Sequence, residues 1–192
     1  MKNLIKLLTV IFIASSGQVF AQVNVGDNYQ GGMVAYILQV GDPGYDANVQ
    51  HGLIAAPMDQ STGAVWCSRE KIYKGKAFFG ATETQLGTGA KNTRAILAKS
   101  GHKNSAAELC SKITINEYSD WFLPSKDELV LMFTNLLNAA NSNSFNDFAN
   151  DAYWSSSEQS AYEAWMQFFS KNYMTQTWEK SARQYVRCAR YF

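Results

Sequence analysis

Five amide and carboxylate side chains lie close together in one polar stretch of the chain. They are Asn143, Asn146, Asp147, Asn150 and Asp151. Their oxygens are of the kind that bind calcium, and they also suit hydrogen bonds to the hydroxyls of a sugar. Because Asn and Asp favour surface turns, the same composition is more typical of a solvated, structured loop. The stretch is a candidate binding loop, and the sequence leaves its metal content open.

A second candidate is the segment before the last predicted strand, which carries Tyr173, Trp178 and Lys180. An exposed aromatic ring in this position can stack on the face of a pyranose. Packing at the edge of a sheet explains the same aromatic residues equally well. We therefore predict that these three residues, together with Asn150 and Asp151, contact a ligand.

A third group is basic and consists of Arg69, Lys71, Lys74 and Lys76. Such a patch can hold sulfated or carboxylated polysaccharide through charge-assisted hydrogen bonds. Glu70 lies within the patch and dilutes its charge. This dilution and the near-neutral charge of the whole chain favour the interpretation of the patch as a solvated face.

Enzymatic chemistry is not indicated by the other polar residues. The chain has no Gly-x-Ser-x-Gly motif, and its two histidines, His51 and His102, both lie beside glycine in predicted loops. Residues 87–93 are similar to a phosphate loop, but the lysine is not followed directly by Ser or Thr. We expect a protein that is not an enzyme and has no cofactor, with calcium possible but not indicated.

The three cysteines are Cys67, Cys110 and Cys188. They are isolated from one another, and with only two histidines in the chain they do not form a zinc motif. An oxidising compartment permits one disulfide and leaves one thiol, and the residues alone do not choose the pair.

The first 21 residues predict export. Two lysines precede a short apolar run, and small residues follow at the expected cleavage point, as in a signal peptide. The run is too short for a membrane span. Residues 22–192 then form one domain with 15 basic and 16 acidic residues, a balance that does not favour nucleic acid. We expect a periplasmic, cell-surface or secreted protein.

The elements that position these residues are predicted to be strands, then helices, then strands. Residues 33–40 and 51–57 form a predicted antiparallel hairpin, and residues 62–89 lack clear periodicity. Three aromatic or β-branched runs, at residues 153–157, 164–169 and 185–192, predict an antiparallel sheet. The class is α+β.

Two or three helices lie between these strands. Residues 92–100 and 105–113 form two short ones, the latter opened by a capping box of Ser105 and Glu108. A second capping box, Ser125 with Glu128, opens a longer amphipathic helix. Its apolar stripe is Leu129, Met132, Phe133, Leu136 and Leu137. Trp121, Trp154 and Trp165 are assigned to the core.

Five blocks in order carry a family resemblance. They are Gly-Gly-Met-Val at 31–34, His-Gly-Leu-Ile-Ala-Ala-Pro at 51–57, Trp-Phe-Leu-Pro-Ser-Lys-Asp-Glu-Leu at 121–129, Tyr-Trp-Ser-Ser-Ser-Glu at 153–158 and Val-Arg-Cys-Ala-Arg at 186–190. In these the chain resembles the bacterial Lcl C-terminal-like domain, which is named from the end of a collagen-like surface adhesin.

The resemblance implies a fold related to C-type lectins and formylglycine-generating enzymes. In C-type lectin folds an early helix is tied to the last strand, which would join Cys110 to Cys188; pairing of Cys67 with Cys110 is the alternative. The calcium–sugar triplets of lectins and the paired catalytic cysteines are absent from this sequence. We therefore expect an exported binding module for a glycan, or else a structural protein that recognises another surface protein.

Overall fold

Strands, then helices, then strands follow one another in a computed structural model that describes residues 22–75, 77–99, 104–138, 148–169 and 174–192. The strands are β1 (Asn28–Tyr29), β2 (Gly32–Ile37), β3 (Gly52–Ala55), β4 (Ser61–Val65), β5 (Ala152–Glu158), β6 (Glu163–Phe168), β7 (Thr175–Glu179), β8 (Arg183–Val186) and β9 (Ala189–Tyr191). The helices are α1 (Arg69–Tyr73), α2 (Gly89–Ala98), α3 (Ala106–Lys112) and α4 (Lys126–Asn138). This is the predicted α+β class.

The first sheet has the strand order β1-β2-β3-β9 and is antiparallel throughout. Its centre is the predicted hairpin, in which β2 and β3 pair with Met33 opposite Ala55. The end of the chain completes the sheet, because β9 pairs with β3 and places Arg190 opposite Ile54.

The second sheet has the order β4-β8-β5-β6-β7. The prediction of a purely antiparallel sheet is wrong at one pair, since β5 and β8 run parallel, with Tyr153 opposite Tyr185. The last predicted strand is also divided: β8 belongs to this sheet and β9 to the other. The break falls at Arg187 and Cys188, where the arginine turns inward to donate to the backbone oxygen of Ala56.

Helices α2, α3 and α4 match the predicted ones to within a few residues. The Ser105 hydroxyl accepts the backbone N–H of Glu108 at 3.3 Å, as the capping box at α3 predicts. Helix α1 lies within residues 62–89, where the sequence shows no clear periodicity, and it carries part of the basic patch. No helix in the described ranges is long and apolar enough to cross a membrane.

Two apolar clusters form the core. The four described members of the α4 stripe are fully buried in one of them and pack with Leu53, Tyr153 and Phe169. Trp121 and Trp154 are buried in the other, as predicted. Trp165 is only partly buried, and the Lys126 ammonium lies 5.1 Å from its ring centre.

Cys110 and Cys188 form a disulfide that ties α3 to the segment between β8 and β9. This is the pairing that the family resemblance implies. Cys67 is the free thiol and is buried.

Candidate functional site

Lys180 and Glu158 form an ion pair that is enclosed by protein. The Lys180 Nζ lies 2.7 Å from the Glu158 Oε2, and both side chains have no exposed surface. The other oxygen of Glu158 accepts the backbone N–H groups of Phe79 at 2.9 Å and Ala81 at 3.0 Å. Burial lowers the pKa of Lys180, and the hydrogen bond with Glu158 opposes that shift.

The Lys180 ammonium also joins the segment at Ala77 and the turn at Ser160 to the end of β7. It donates to the backbone oxygen of Ala77 at 2.8 Å and to that of Ser160 at 2.7 Å. Its charge lies 4.5 Å from the ring centre of Trp66. The prediction that Lys180 contacts a ligand is therefore wrong, because its three donors are directed to groups inside the protein.

Glu128 has a similar structural role at the start of α4. Its carboxylate accepts the Ser125 N–H at 2.7 Å, the Gly87 N–H at 2.9 Å and the Tyr191 hydroxyl at 2.7 Å. A Cβ atom on Gly89 would lie 2.2 Å from the same carboxylate, so a side chain at that position is excluded. Burial raises the pKa of Glu128, and these donors oppose the rise.

The two arginines of the last motif block are likewise engaged inside the fold. Arg187 pairs with Asp59 at 2.7 Å and is 2 % exposed. Arg190 binds Asp120 through two hydrogen bonds, of 2.7 and 3.1 Å. These two arginines, like Glu128 and Glu158, therefore hold elements of the scaffold together.

Exposed aromatic side chains lie on the segments that Lys180 connects. Phe78 follows Ala77 and is 52 % exposed, Tyr162 follows Ser160 by two residues and is 62 % exposed, and Trp178 is 48 % exposed. The Lys180 N–H donates to the backbone oxygen of Tyr162 at 2.9 Å. We call these three residues the aromatic surface. Trp178 lies in β7, at the edge of the second sheet, and not in the predicted loop.

Sequence reasoning identified Trp178 but missed Phe78 and Tyr162. A signal for Phe78 was present in the pair Phe78-Phe79, since consecutive residues on an extended chain point to opposite sides. In the structure Phe79 is buried and Phe78 is exposed. Tyr162 is flanked by small and polar residues and gave no comparable signal.

The polar loop is only partly covered by the structure. Asn150 and Asp151 are exposed, and the Asp151 carboxylate accepts the N–H of Ala152 at 2.7 Å. Tyr173, Asn143, Asn146 and Asp147 lie outside the described residues. Within the described ranges, no group of three His, Cys, Asp or Glu side chains is placed to hold a metal ion.

The basic patch is partly neutralised. Lys74 pairs with Glu70 at 2.6 Å, and this hydrogen bond lowers the pKa of Glu70. Lys71 donates to the backbone oxygen of Lys99 at 3.3 Å, while Arg69 is exposed at the start of α1. Lys76 lies outside the described residues. The arrangement matches the solvated-face interpretation more closely than a concentrated anion site.

The free thiol is not placed for chemistry. Burial raises the pKa of Cys67 to about 11, although the Lys180 charge acts in the opposite direction. At neutral pH the thiol is therefore protonated, which makes it a poor nucleophile.

Comparison with known proteins agrees with the interpretation of the motif blocks. The model of the family described as the Lcl C-terminal domain matches residues 56–190. A search of curated proteins finds no match. The matched range includes both buried acids, Glu128 and Glu158, and both arginines of the last block. Since the match covers well over half of the chain, the chain belongs to the Lcl C-terminal domain family.

Proposed function

We propose that the chain is a non-enzymatic binding module that recognises a glycan through the aromatic surface of Phe78, Tyr162 and Trp178. The observation that supports this is that three exposed rings lie on chain segments whose backbones are held by, or are adjacent to, the buried Lys180. Aromatic rings supply large apolar contact area, and an exposed ring can stack on the apolar face of a sugar. Ligand contact by exposed tryptophan and tyrosine is also common at binding surfaces, because these residues combine an apolar ring with a polar group.

The scaffold suits such a role. Lys180 holds the backbones that carry the aromatic surface, so little ordering entropy is lost when a ligand binds. We propose that the fold is related to that of C-type lectins, in which loops on a rigid sheet provide specificity. The tie between α3 and the last strands supports this relationship.

We also propose that the protein is exported and that residues 1–21 are removed. The disulfide between Cys110 and Cys188 supports an oxidising compartment, because such bonds are rare where thiols are kept reduced.

The proposal is tested by a glycan array of neutral, acidic and sulfated sugars, probed with residues 22–192 in calcium and in chelator. Trp178→Ala is expected to lower the affinity for a bound glycan by about tenfold or more, as for other aromatic anchors. Tyr45→Ala is the matched control, because Tyr45 is an exposed aromatic residue between β2 and β3. Loss of binding in chelator would instead assign the interaction to a metal site.

A structural protein that recognises another protein is the second candidate. It is favoured by the position of Trp178 on β7, since the edge of a sheet can pair with a further strand. The glycan proposal would be rejected if no sugar on the array bound the protein. The second candidate would be supported if the protein also formed larger assemblies at higher concentration and Trp178→Ala abolished them.

A further inference from the structure

Two tight turns face each other beside the first sheet. One is the turn at Gln30 and Gly31 that joins β1 to β2, where Tyr29 pairs with Gly32. The other is the turn at Asn116 and Glu117, closed by two hydrogen bonds between Ile115 and Tyr118 of 3.0 Å each. A Cβ atom on Gly31 would lie 2.9 Å from the Ile115 backbone oxygen, so the turns are in close contact.

Both turns place ordinary side chains on left-handed backbone. The φ angle is +44° at Gln30, +47° at Asn116 and +71° at Glu117. A turn with positive φ at both central positions favours Asn-Gly, and glycine is the residue that adopts it without strain. Asn116 therefore stands where such a turn favours asparagine, while Gln30 and Glu117 occupy left-handed positions that their side chains rarely adopt.

A pocket of about 360 Å³ lies between the turns. Asn28, Gln30 and Asn116 provide amides to its lining, while Tyr29, Pro57 and Ile115 provide apolar surface. Among the described residues that line it, none carries a formal charge. The volume is at the lower end of the range for small-molecule sites.

The amide of Gln30 is held in one orientation. Its oxygen accepts a hydrogen bond of 2.6 Å from Nη1 of Arg190, and Arg190 is itself fixed by Asp120. The NH₂ group of Gln30 is therefore the end of the amide left to donate. Tyr29 packs edge-on against Phe192, with ring centres 5.1 Å apart, so this wall of the pocket is also fixed.

We propose that this pocket binds one neutral, hydroxyl-bearing sugar unit. An amide side chain offers a donor and an acceptor, which matches the two roles of a hydroxyl group, and the apolar wall suits the carbon face of a ring. The absence of charge from the described lining favours neutral sugars over uronic or sulfated ones. The pocket is lined by residues of β1, β2 and the two turns, together with Pro57, and it shares no residue with the aromatic surface.

The test uses residues 22–192 with D-glucose, D-galactose, D-mannose, N-acetylglucosamine and D-glucuronate as probes. Binding is measured by saturation-transfer NMR and by shifts of the side-chain amide signals of Gln30 and Asn116. Gln30→Gly and Asn116→Gly each remove one amide while keeping a residue that accepts the left-handed backbone. Each is expected to weaken binding of a neutral sugar by about tenfold. Asn116→Gly should leave the melting temperature nearly unchanged, whereas Gln30→Gly should lower it, because Arg190 loses a hydrogen-bond acceptor.

Glu117→Gly is the matched control, since it relieves the same backbone strain in the same turn without removing a lining amide. It is expected to raise the melting temperature and to leave sugar affinity unchanged. Equal loss in all three glycine variants would overturn the proposal, as would tighter binding of glucuronate or no response to any probe. Trp178 does not line this pocket, so Trp178→Ala should leave binding of the single sugars unchanged. That variant therefore distinguishes a failure of the pocket proposal from a failure of the proposed function.

Discussion

Lys180 lies inside the protein, although the sequence analysis predicted that it contacts a ligand. Its partner, Glu158, ends a block of aromatic and serine residues, and all seven residues of β5 are buried. A charge inside such a block requires a buried partner, because an isolated charge in an apolar interior is very unfavourable. The aromatic and serine block around Glu158 suggests that this acid needs a buried basic partner. The sequence does not indicate which distant lysine or arginine is that partner.

Lys180→Met is expected to lower the free energy of unfolding by about 3–5 kcal/mol, because it leaves the Glu158 carboxylate buried without its counter-ion. Urea unfolding followed by tryptophan fluorescence measures the change. The same substitution at Lys112 is the control, since Lys112 also pairs with a glutamate but its side chain is 70 % exposed. There we expect a loss of only about 0.5 kcal/mol.

Equal losses at the two lysines would contradict this account of the buried pair. The double variant Lys180→Met with Glu158→Gln provides a further check, because removal of both charges is expected to recover part of the lost stability.

At the scale of elements, local rules predicted the helices well. The capping box of Ser125 and Glu128 is present with both of its hydrogen bonds, of 2.7 and 3.3 Å. Helix α1 and strand β4 were missed for a different reason. Five residues are too few to show a helical period, and β4 contains Gly63 and is held by its distant partner β8. Long-range pairing of this kind leaves little trace in a local pattern.

Strand β9 is joined to the loop before Trp121 by the pair of Arg190 and Asp120. The hydrogen bond from Arg190 lowers the pKa of Asp120 below its ordinary value of 3.8. A carboxyl whose pKa is lower in the folded state contributes stability at pH values above its unfolded pKa. That contribution is lost as the pH falls through the folded pKa.

The free energy of unfolding of the wild-type protein is therefore expected to fall below about pH 4 partly through this pair. Asp120→Asn should be less stable at neutral pH and should show a shallower fall in acid. Thermal unfolding of both proteins between neutral and acid pH measures the difference. Curves that stay parallel over the whole range would show that Asp120 makes no such contribution.

For the whole molecule, the disulfide is the principal covalent restraint among the described residues. It joins cysteines 78 residues apart, and a loop of this length stabilises the folded state by roughly 4 kcal/mol in the chain-entropy treatment. We expect a reducing agent to lower the free energy of unfolding of the wild-type protein by about this amount.

Cys67→Ala provides the control for the disulfide, because it removes the buried free thiol and keeps the bond. It should respond to reducing agent as the wild type does, whereas the double variant Cys110→Ala and Cys188→Ala should not respond. Sensitivity of that double variant to reducing agent would contradict the assignment of the pair.

The whole fold was predictable in class but not in topology. The α+β order, the first hairpin and the buried stripe of α4 follow from local periodicity. The division of the last run into β8 and β9 does not, because Val186 and Ala189 are both apolar and the break depends on the inward turn of Arg187. For the site, Trp178 was predictable as an exposed ring, but the turns at Gln30 and Asn116 are brought together only by the tertiary fold.

The placement of β8 and β9 has a consequence for the order of synthesis. Strand β8 lies between β4 and β5, and β9 completes the other sheet, yet both follow every other element along the chain. Neither sheet can close while residues 183–191 are still within the ribosome. The hairpins β2-β3 and β5-β6-β7 can pair earlier, but strands β3, β4 and β5 should keep open edges until residues 183–191 have emerged.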